Sequence, residues 1–264
     1  MEFIKFVEKS NSTEIILNRA DKRNAFHPQM IDEITQAFSQ VSLDESNRAV
    51  IVKGEGASFC AGADLGWMKS MADFSESENQ DDSNKLFEMF YSIYSCPLPV
   101  ISVAHGHVMG GATGIVACSD IAISTPKTLF AFSEVRLGLV PAVISPFLTQ
   151  KLIPSHSSRW MLTGERFNGE QALAAGLVTE LVEEGELEGS LQKYLNSFNL
   201  SGPLAVRHTK RLLRSQLPDP QQHRLATTKV IAERRVSEEG QAGLRGFLDK
   251  AGIPWHVASK DGEK

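Results

Sequence analysis

Two glycine-punctuated segments constrain this chain more than any other feature: Phe59-Cys60-Ala61-Gly62-Ala63-Asp64-Leu65 and Gly106-His107-Val108-Met109-Gly110-Gly111. Each follows an apolar run that reads as a strand, Val50-Ile51-Val52 and Val100-Ile101-Ser102-Val103, and each precedes a stretch of helical character. A chain that leaves a strand through glycine and enters a helix exposes the first helical N–H groups, which have no intrahelical acceptor. Two such ends aimed at one point form a cradle for an oxygen that becomes negative during a reaction. A third segment, Phe130-Ala131-Phe132-Ser133-Glu134, delivers a carboxyl group behind two phenylalanines. Together the three supply what proton transfer beside a polarised carbonyl requires.

At 264 residues the chain fits one large domain, or a main domain with a smaller appendage. Its net charge of -5 disfavours nucleic acid and anionic membrane as partners. Arg207, Lys210, Arg211 and Arg214 recur at helical spacing and read as a solvated face, with an anionic ligand group as the alternative. Cys60, Cys96 and Cys118 are odd in number and sit in apolar contexts, which predicts reduced, buried thiols of a cytosolic protein. His105 and His107 alternate on a strand end and so face opposite sides; no metal site is expected from them. With neither a signal-peptide pattern nor a run of about 18 apolar residues, a cytoplasmic location is expected, away from membrane.

Ile4–Val7 and Glu14–Leu17 read as strands around an Asn11-Ser12 turn, and Pro28 opens a helix with Ile31, Ile34, Phe38 and Val41 on one face. The polar stretch from Asp73 to Asn84 reads as a mobile loop, followed by a helix through Leu86, Phe87, Phe90 and Ile93. Gly111 to Cys118 reads as a buried helix of small residues, and Ile121–Ile123 and Leu129–Phe132 as further strands. From Ser145 onward the period is helical, over 145–152, 155–162, 169–175, 186–198, 203–214, 220–234 and 238–250. The class is therefore α/β, and Gly202-Pro203 suggests a division into a core at 1–200 and a helical subdomain at 201–264.

A thioester or ketone carbonyl that accepts from two backbone amides becomes an electron sink, so its α carbon gains acidity and its β carbon becomes electrophilic. Glu134 lies between Phe130, Phe132, Val135 and Leu137; enclosure by them would raise its pKa and let it both donate and accept a proton. The alternative is a surface carboxylate paired with Arg136. Gly106 to Gly114 fits neither the P-loop nor the dinucleotide fingerprint.

These residues resemble the crotonase, or enoyl-CoA hydratase/isomerase, superfamily. The resemblance runs from Leu17-Asn18-Arg19 with Asn24-Ala25, through Phe59–Leu65, His105–Asp120, Ser133-Glu134, Leu137-Gly138 and Pro141, to Leu162–Phe167, Ala174–Val178 and Phe247-Leu248-Asp249-Lys250. It implies a spiral of strand-strand-helix units capped by C-terminal helices, assembled as trimers or pairs of trimers. It makes the N–H groups of Ala63 and Gly111 the oxyanion hole for an acyl-CoA thioester, flanked by Gly110 and Ser133, and Glu134 a catalytic glutamate. Lys22, Arg23 and Ala25, with Ala61, Gly62, Asp64 and Leu65, match stretches that hold CoA. Phe247 and Lys250 match C-terminal contacts to it, often supplied by a neighbouring subunit. No separate cofactor is implied, because coenzyme A enters as part of the substrate.

One position departs from the family pattern. Gly114 stands where the two-glutamate hydratases carry their other carboxylate. Bacterial methylglutaconyl-CoA and related branched glutaconyl-CoA hydratases look similar here, sharing sequences like Ala63–Met68 and Ser133–Pro146, which implies a place in leucine degradation. Glycine removes a charge and is expected to open space for a branched or carboxylated acyl chain, with Lys69, Arg136 and His107 as candidate cations for the acyl carboxylate. Two other activities stay open: an isomerase with a single Glu base, and an acyl-CoA binding protein without catalysis.

Overall fold

Branched apolar residues dominate the early strands and build the larger of two sheets in this computed structural model, which describes residues 1–255 apart from Ser42 and Asp44. The chain runs β1 (Ile4–Glu8), β2 (Ser12–Leu17), α1 (Pro28–Gln40), β3 (Ala49–Gly54), α2 (Leu65–Asp73), α3 (Glu76–Ser95), β4 (Val100–Val103) and β5 (His107–Met109). It continues through α4 (Gly111–Cys118), β6 (Ile121–Ser124), β7 (Leu129–Ala131), α5 (Ser145–Lys151), α6 (Pro154–Thr163), β8 (Arg166–Asn168), α7 (Gly169–Ala174) and β9 (Glu180–Leu181). Helices α8 (Leu187–Asn199), α9 (Pro203–Ser215), α10 (Arg224–Val236) and α11 (Glu238–Leu248) complete the described residues.

The six-stranded sheet has the order β1-β2-β3-β4-β6-β9, and the second sheet β5-β7-β8. Only β1–β2 is antiparallel in the first; β3 pairs β4 and β4 pairs β6 in parallel, with Val50 opposite Val100 and Ile101 opposite Ile121. Every residue of β4 is buried, as expected where both faces are covered. Ile51, Ile101 and Ile123 meet Leu191 and Leu195 of α8 on one face, while the main core fills the other. Two successive turns, β4–β5 and β6–β7, each place one strand in the large sheet and the next in the small one before a helix, and the segment after β3 bridges to β5 at Cys60 and Val108, so these turns stack. That stacking lays the two glycine segments side by side: Phe59 N–H donates to His105 O at 2.9 Å, Cys60 N–H to His107 O at 3.0 Å, and Met109 N–H to Cys60 O at 3.1 Å.

Three local expectations need correcting. Most of the stretch read as a loop, from Asp73 to Asn84, is the first half of α3. A capping box starts it: Ser75 accepts from Glu78 N–H at 3.3 Å, and the Glu78 carboxylate accepts from Ser75 N–H at 2.8 Å. Its polarity serves a buried seam, with Asn79 and Ser83 enclosed against α10. The basic face of α9 is a docking surface at three of its four positions, with Arg207 donating to Leu43 O. Lys210 donates to Asp120 Oδ2 at 2.6 Å and Leu98 O at 2.8 Å; Arg214 donates to Asp120 Oδ1 at 2.9 Å and stacks on Tyr94. Strands β8 and β9 interrupt the region read as wholly helical, where Phe167 pairs Phe130 and Glu180 pairs Ile123.

Candidate active site

The cradle is built where the spiral brings strand ends together. Gly62 adopts φ +91° and Gly110 φ +52°, left-handed conformations that only glycine takes without strain. A Cβ at Gly62 would lie 2.9 Å from Met109 O, so glycine also permits the close approach of the two segments. Phe26 N–H donates to Gly62 O and Asp64 N–H to Phe26 O, each at 2.7 Å, and Ala63 N–H lies between them in sequence with no acceptor among the described residues. Gly110 N–H donates to Ala131 O at 2.9 Å, whereas Gly111 N–H, at the start of α4, likewise finds no acceptor among the described residues. Ala63 and Gly111 line one cavity of about 230 Å³.

Glu134 lines the same cavity from a 3-10 turn, Ser133–Leu137. A Cβ on Gly110 would sit 3.3 Å from Glu134 Oε1, which puts this oxygen against the glycine turn that precedes α4. Oε2 is buried and has no hydrogen-bond partner. Burial pushes the carboxyl pKa up from 4.5 to about 7. Arg136 is exposed and donates to Thr163 O instead, so the expected surface pair with Glu134 is not formed. Glu134 and Arg235 are the only ionisable side chains lining the cavity among the described residues; the remaining walls are mostly apolar, including Met68, Met71, Leu86 and Ile231.

The space expected at Gly114 is not there. Its Cβ would meet Phe90 and Ile144 at 2.7 Å, so aromatic ring and branched side chain already occupy the volume a second carboxylate would need. Gly114 is buried in α4 and does not line the cavity. The glycine is required by packing.

Of the expected site residues, Ala61, Gly62, Leu65, Gly110, Ser133 and Phe247 join Ala63, Gly111 and Glu134 around the cavity, with Phe247 coming from α11 of the same chain. Lys22, Arg23, Ala25, Asp64 and Lys250 lie outside its lining. Lys22, Arg23 and Lys250 are exposed, and Ala25 is buried with its carbonyl accepting from Arg19. Asp64 caps α2, accepting from Gly66 N–H at 2.7 Å and Trp67 N–H at 3.2 Å, while Arg19 donates to its other oxygen at 2.8 Å. Hydrogen bonding to Arg19 and the two amides overcomes burial and holds the Asp64 carboxyl below its usual range. None of the candidate acyl cations lines the cavity: Lys69 and Arg136 are exposed, and His107 Nδ1 bonds Ser58 Oγ at 3.2 Å. Sequence reasoning missed Arg235. Its only signal was position, one turn after Ile231 on α10.

Cys60 lies beneath the cradle, fully buried, its thiol pushed up to about 12 by desolvation, which removes it as a nucleophile near neutral pH. Among the described residues no cluster of three or more His, Cys, Asp or Glu side chains forms a metal site, and no helix is long and apolar enough to cross a membrane.

Comparison with known proteins places this geometry in a family context. A family model described as enoyl-CoA hydratase/isomerase matches residues 8–258. Carnitinyl-CoA dehydratase of Proteus mirabilis is 30% identical over 251 residues, covering 92% of this chain and 94% of the relative. The crystal structure of an enoyl-CoA hydratase from Shewanella pealeana superposes with a TM-score of 0.78 at 34% identity, covering 96% of each chain. That of an enoyl-CoA hydratase from Mycobacterium avium gives 0.85 at 27% identity, covering 97% of this chain and 99% of the other.

Proposed function

Because the chain belongs to the enoyl-CoA hydratase/isomerase family, we propose that it adds water across an α,β-unsaturated acyl-CoA, with Glu134 as its acid–base group. One observation carries this reading: a carboxyl with a pKa near 7 lies beside Gly110 in a mostly apolar cavity that the acceptor-less amides of Ala63 and Gly111 share.

Ala63 and Gly111 N–H donate to the thioester oxygen and draw electron density from the double bond. Glu134 carboxylate takes a proton from water as the water oxygen bonds the β carbon; the π electrons move to the thioester oxygen as an enolate. The carboxylic acid so formed returns a proton to the α carbon, which restores the carbonyl and leaves Glu134 ionised. A pKa near 7 keeps both protonation states of Glu134 accessible at neutral pH, so one group can accept the proton and return it. Desolvation strengthens the two amide contacts in the enolate state.

The proposed acyl group is branched or carboxylated, of the methylglutaconyl type. The motif likeness at Ala63–Met68 and Ser133–Pro146 supports it, since the space argument at Gly114 does not survive. A homotrimer or dimer of trimers in the cytoplasm, assembled through the region 201–264, belongs to the same proposal. Leu212, Leu213 and Leu225, all at least 60% exposed, give that helical region an apolar surface suited to contact between copies.

A second reading has its own observation. With Phe90 and Ile144 closing the Gly114 position, Glu134 is the only carboxyl lining the cavity among the described residues, and a single base suffices to move a double bond between carbons. Incubating the pure protein with straight, branched and carboxylated enoyl-CoA thioesters separates the two. Hydration adds the mass of one water, whereas isomerisation shifts retention without a mass change. Binding without either product refutes catalysis.

A further inference from the structure

Among the described residues the acyl cavity has one cation, and its geometry is unusual for a purely structural arginine. Arg235 reaches it from α10 and is 6% exposed. Its four hydrogen bonds all leave from Nη1, to Asp82 Oδ2 at 2.9 Å, Ser83 Oγ at 3.2 Å, Asn79 Oδ1 at 3.4 Å and Asn79 O at 3.5 Å. Asp82 is itself fixed, since Trp67 Nε1–H donates to its Oδ1 at 3.0 Å. A guanidinium is planar, so anchoring Nη1 sets the direction of the opposite edge. On that edge Nε–H and the Nη2 hydrogens meet no acceptor among the described residues.

We propose that the Nε–Nη2 edge of Arg235 receives a carboxylate, or an equivalent anionic group, carried on the acyl chain of the thioester. The inference rests on the acyl-CoA reading of the cavity and adds to it the substrate class. Two parallel N–H donors match a carboxylate in a bidentate fork, the strongest neutral-pH recognition a single side chain offers. Enclosure argues against the CoA phosphates as its target, because an arginine this buried cannot meet a nucleotide that remains in solvent. Asp82 and the polar side chains of α3 hold the guanidinium without filling its second edge; an ion pair serving only to join α3 and α10 has no need of a cavity face. Burial lowers the Arg235 pKa and the Asp82 carboxylate opposes that; a guanidinium keeps its proton in proteins.

The test uses two unreactive saturated thioesters of equal chain length, glutaryl-CoA and valeryl-CoA, titrated calorimetrically into wild type, Arg235→Gln and Arg235→Lys, with free CoA as reference. Wild type is expected to bind glutaryl-CoA about 10- to 100-fold more tightly than valeryl-CoA, and Arg235→Gln to bring that ratio within about threefold of unity. Arg235→Lys, which keeps the charge without the fork, falls between and serves as the decisive variant if Arg235→Gln does not fold. A wild-type ratio near one, or an unchanged ratio in either substituted protein, overturns the proposal; a purely structural arginine lowers the melting temperature and leaves the ratio alone. If neither thioester binds better than free CoA, the acyl-CoA reading fails and takes this inference with it. If the ratio holds but no enoyl-CoA turns over, catalysis fails and Arg235 recognition stands.

Discussion

Keeping a carboxyl in an apolar cavity makes Glu134 a burden on the fold at alkaline pH. Its pKa rises from 4.5 to about 7, so below the unfolded value the group is protonated in both states and costs nothing. Between those limits the folded protein holds a proton that the unfolded chain releases, and stability falls as pH rises. Above about pH 7 the folded state holds a buried anion at a cost of up to about 3 kcal/mol. Glu134→Gln is therefore expected to match wild type near pH 4 and exceed it by up to that amount at pH 8, measured by urea unfolding at both values. Parallel pH profiles would place the carboxyl in water. Glu134 was legible because Phe130, Phe132, Val135 and Leu137 announce an apolar setting within a few residues. Arg235 was not, since what sets it apart from Arg234 is Asp82 and a cavity formed by distant segments.

At the scale of elements, α4 shows how a missing side chain can be misread. Glycine at 114 suggests room, yet Phe90 from α3 and Ile144 fill it. Gly114→Ala is expected to destabilise the protein by about 1–3 kcal/mol through overpacking, and shaving the neighbour in Gly114→Ala/Phe90→Leu should return part of that loss. Strictly additive losses in a thermal or chemical unfolding cycle would show that the two positions do not touch. At the start of α3, Ser75→Ala should cost about 1 kcal/mol by removing the cap, with no change in thioester binding. The helices were readable where an apolar stripe repeats, as in α1 and α9 to α11. Where α3 turns polar residues toward Arg235, the stripe vanishes and the segment imitates a loop. Strands of two or three residues, such as β8 and β9, are too short to carry a period at all.

For the whole molecule, the parallel stacking of β3, β4 and β6 aligns the glycine loops, and the α9 cations secure the C-terminal helices to that stack through Asp120. Asp120 accepts from Val100 N–H, Lys210 and Arg214, so Asp120→Asn leaves two partly buried cations short of their anion. A loss of about 2–4 kcal/mol is expected, with earlier amide exchange in α9 than elsewhere; uniform exchange would deny Asp120 this role. The strand–glycine–helix order was visible in the sequence, but the meeting of residues 63, 111 and 134 depends on the spiral's register, a long-range property no local pattern encodes. The central claim is that one carboxyl performs the proton transfers. It is tested most directly by kcat for water addition to an enoyl-CoA thioester, compared between wild type and Glu134→Gln across pH. The account predicts a wild-type inflection near pH 7 that the variant lacks, with kcat lower by about 10²–10⁴-fold while the thioester still binds. Equal turnover by the two proteins at and above pH 7 would contradict it.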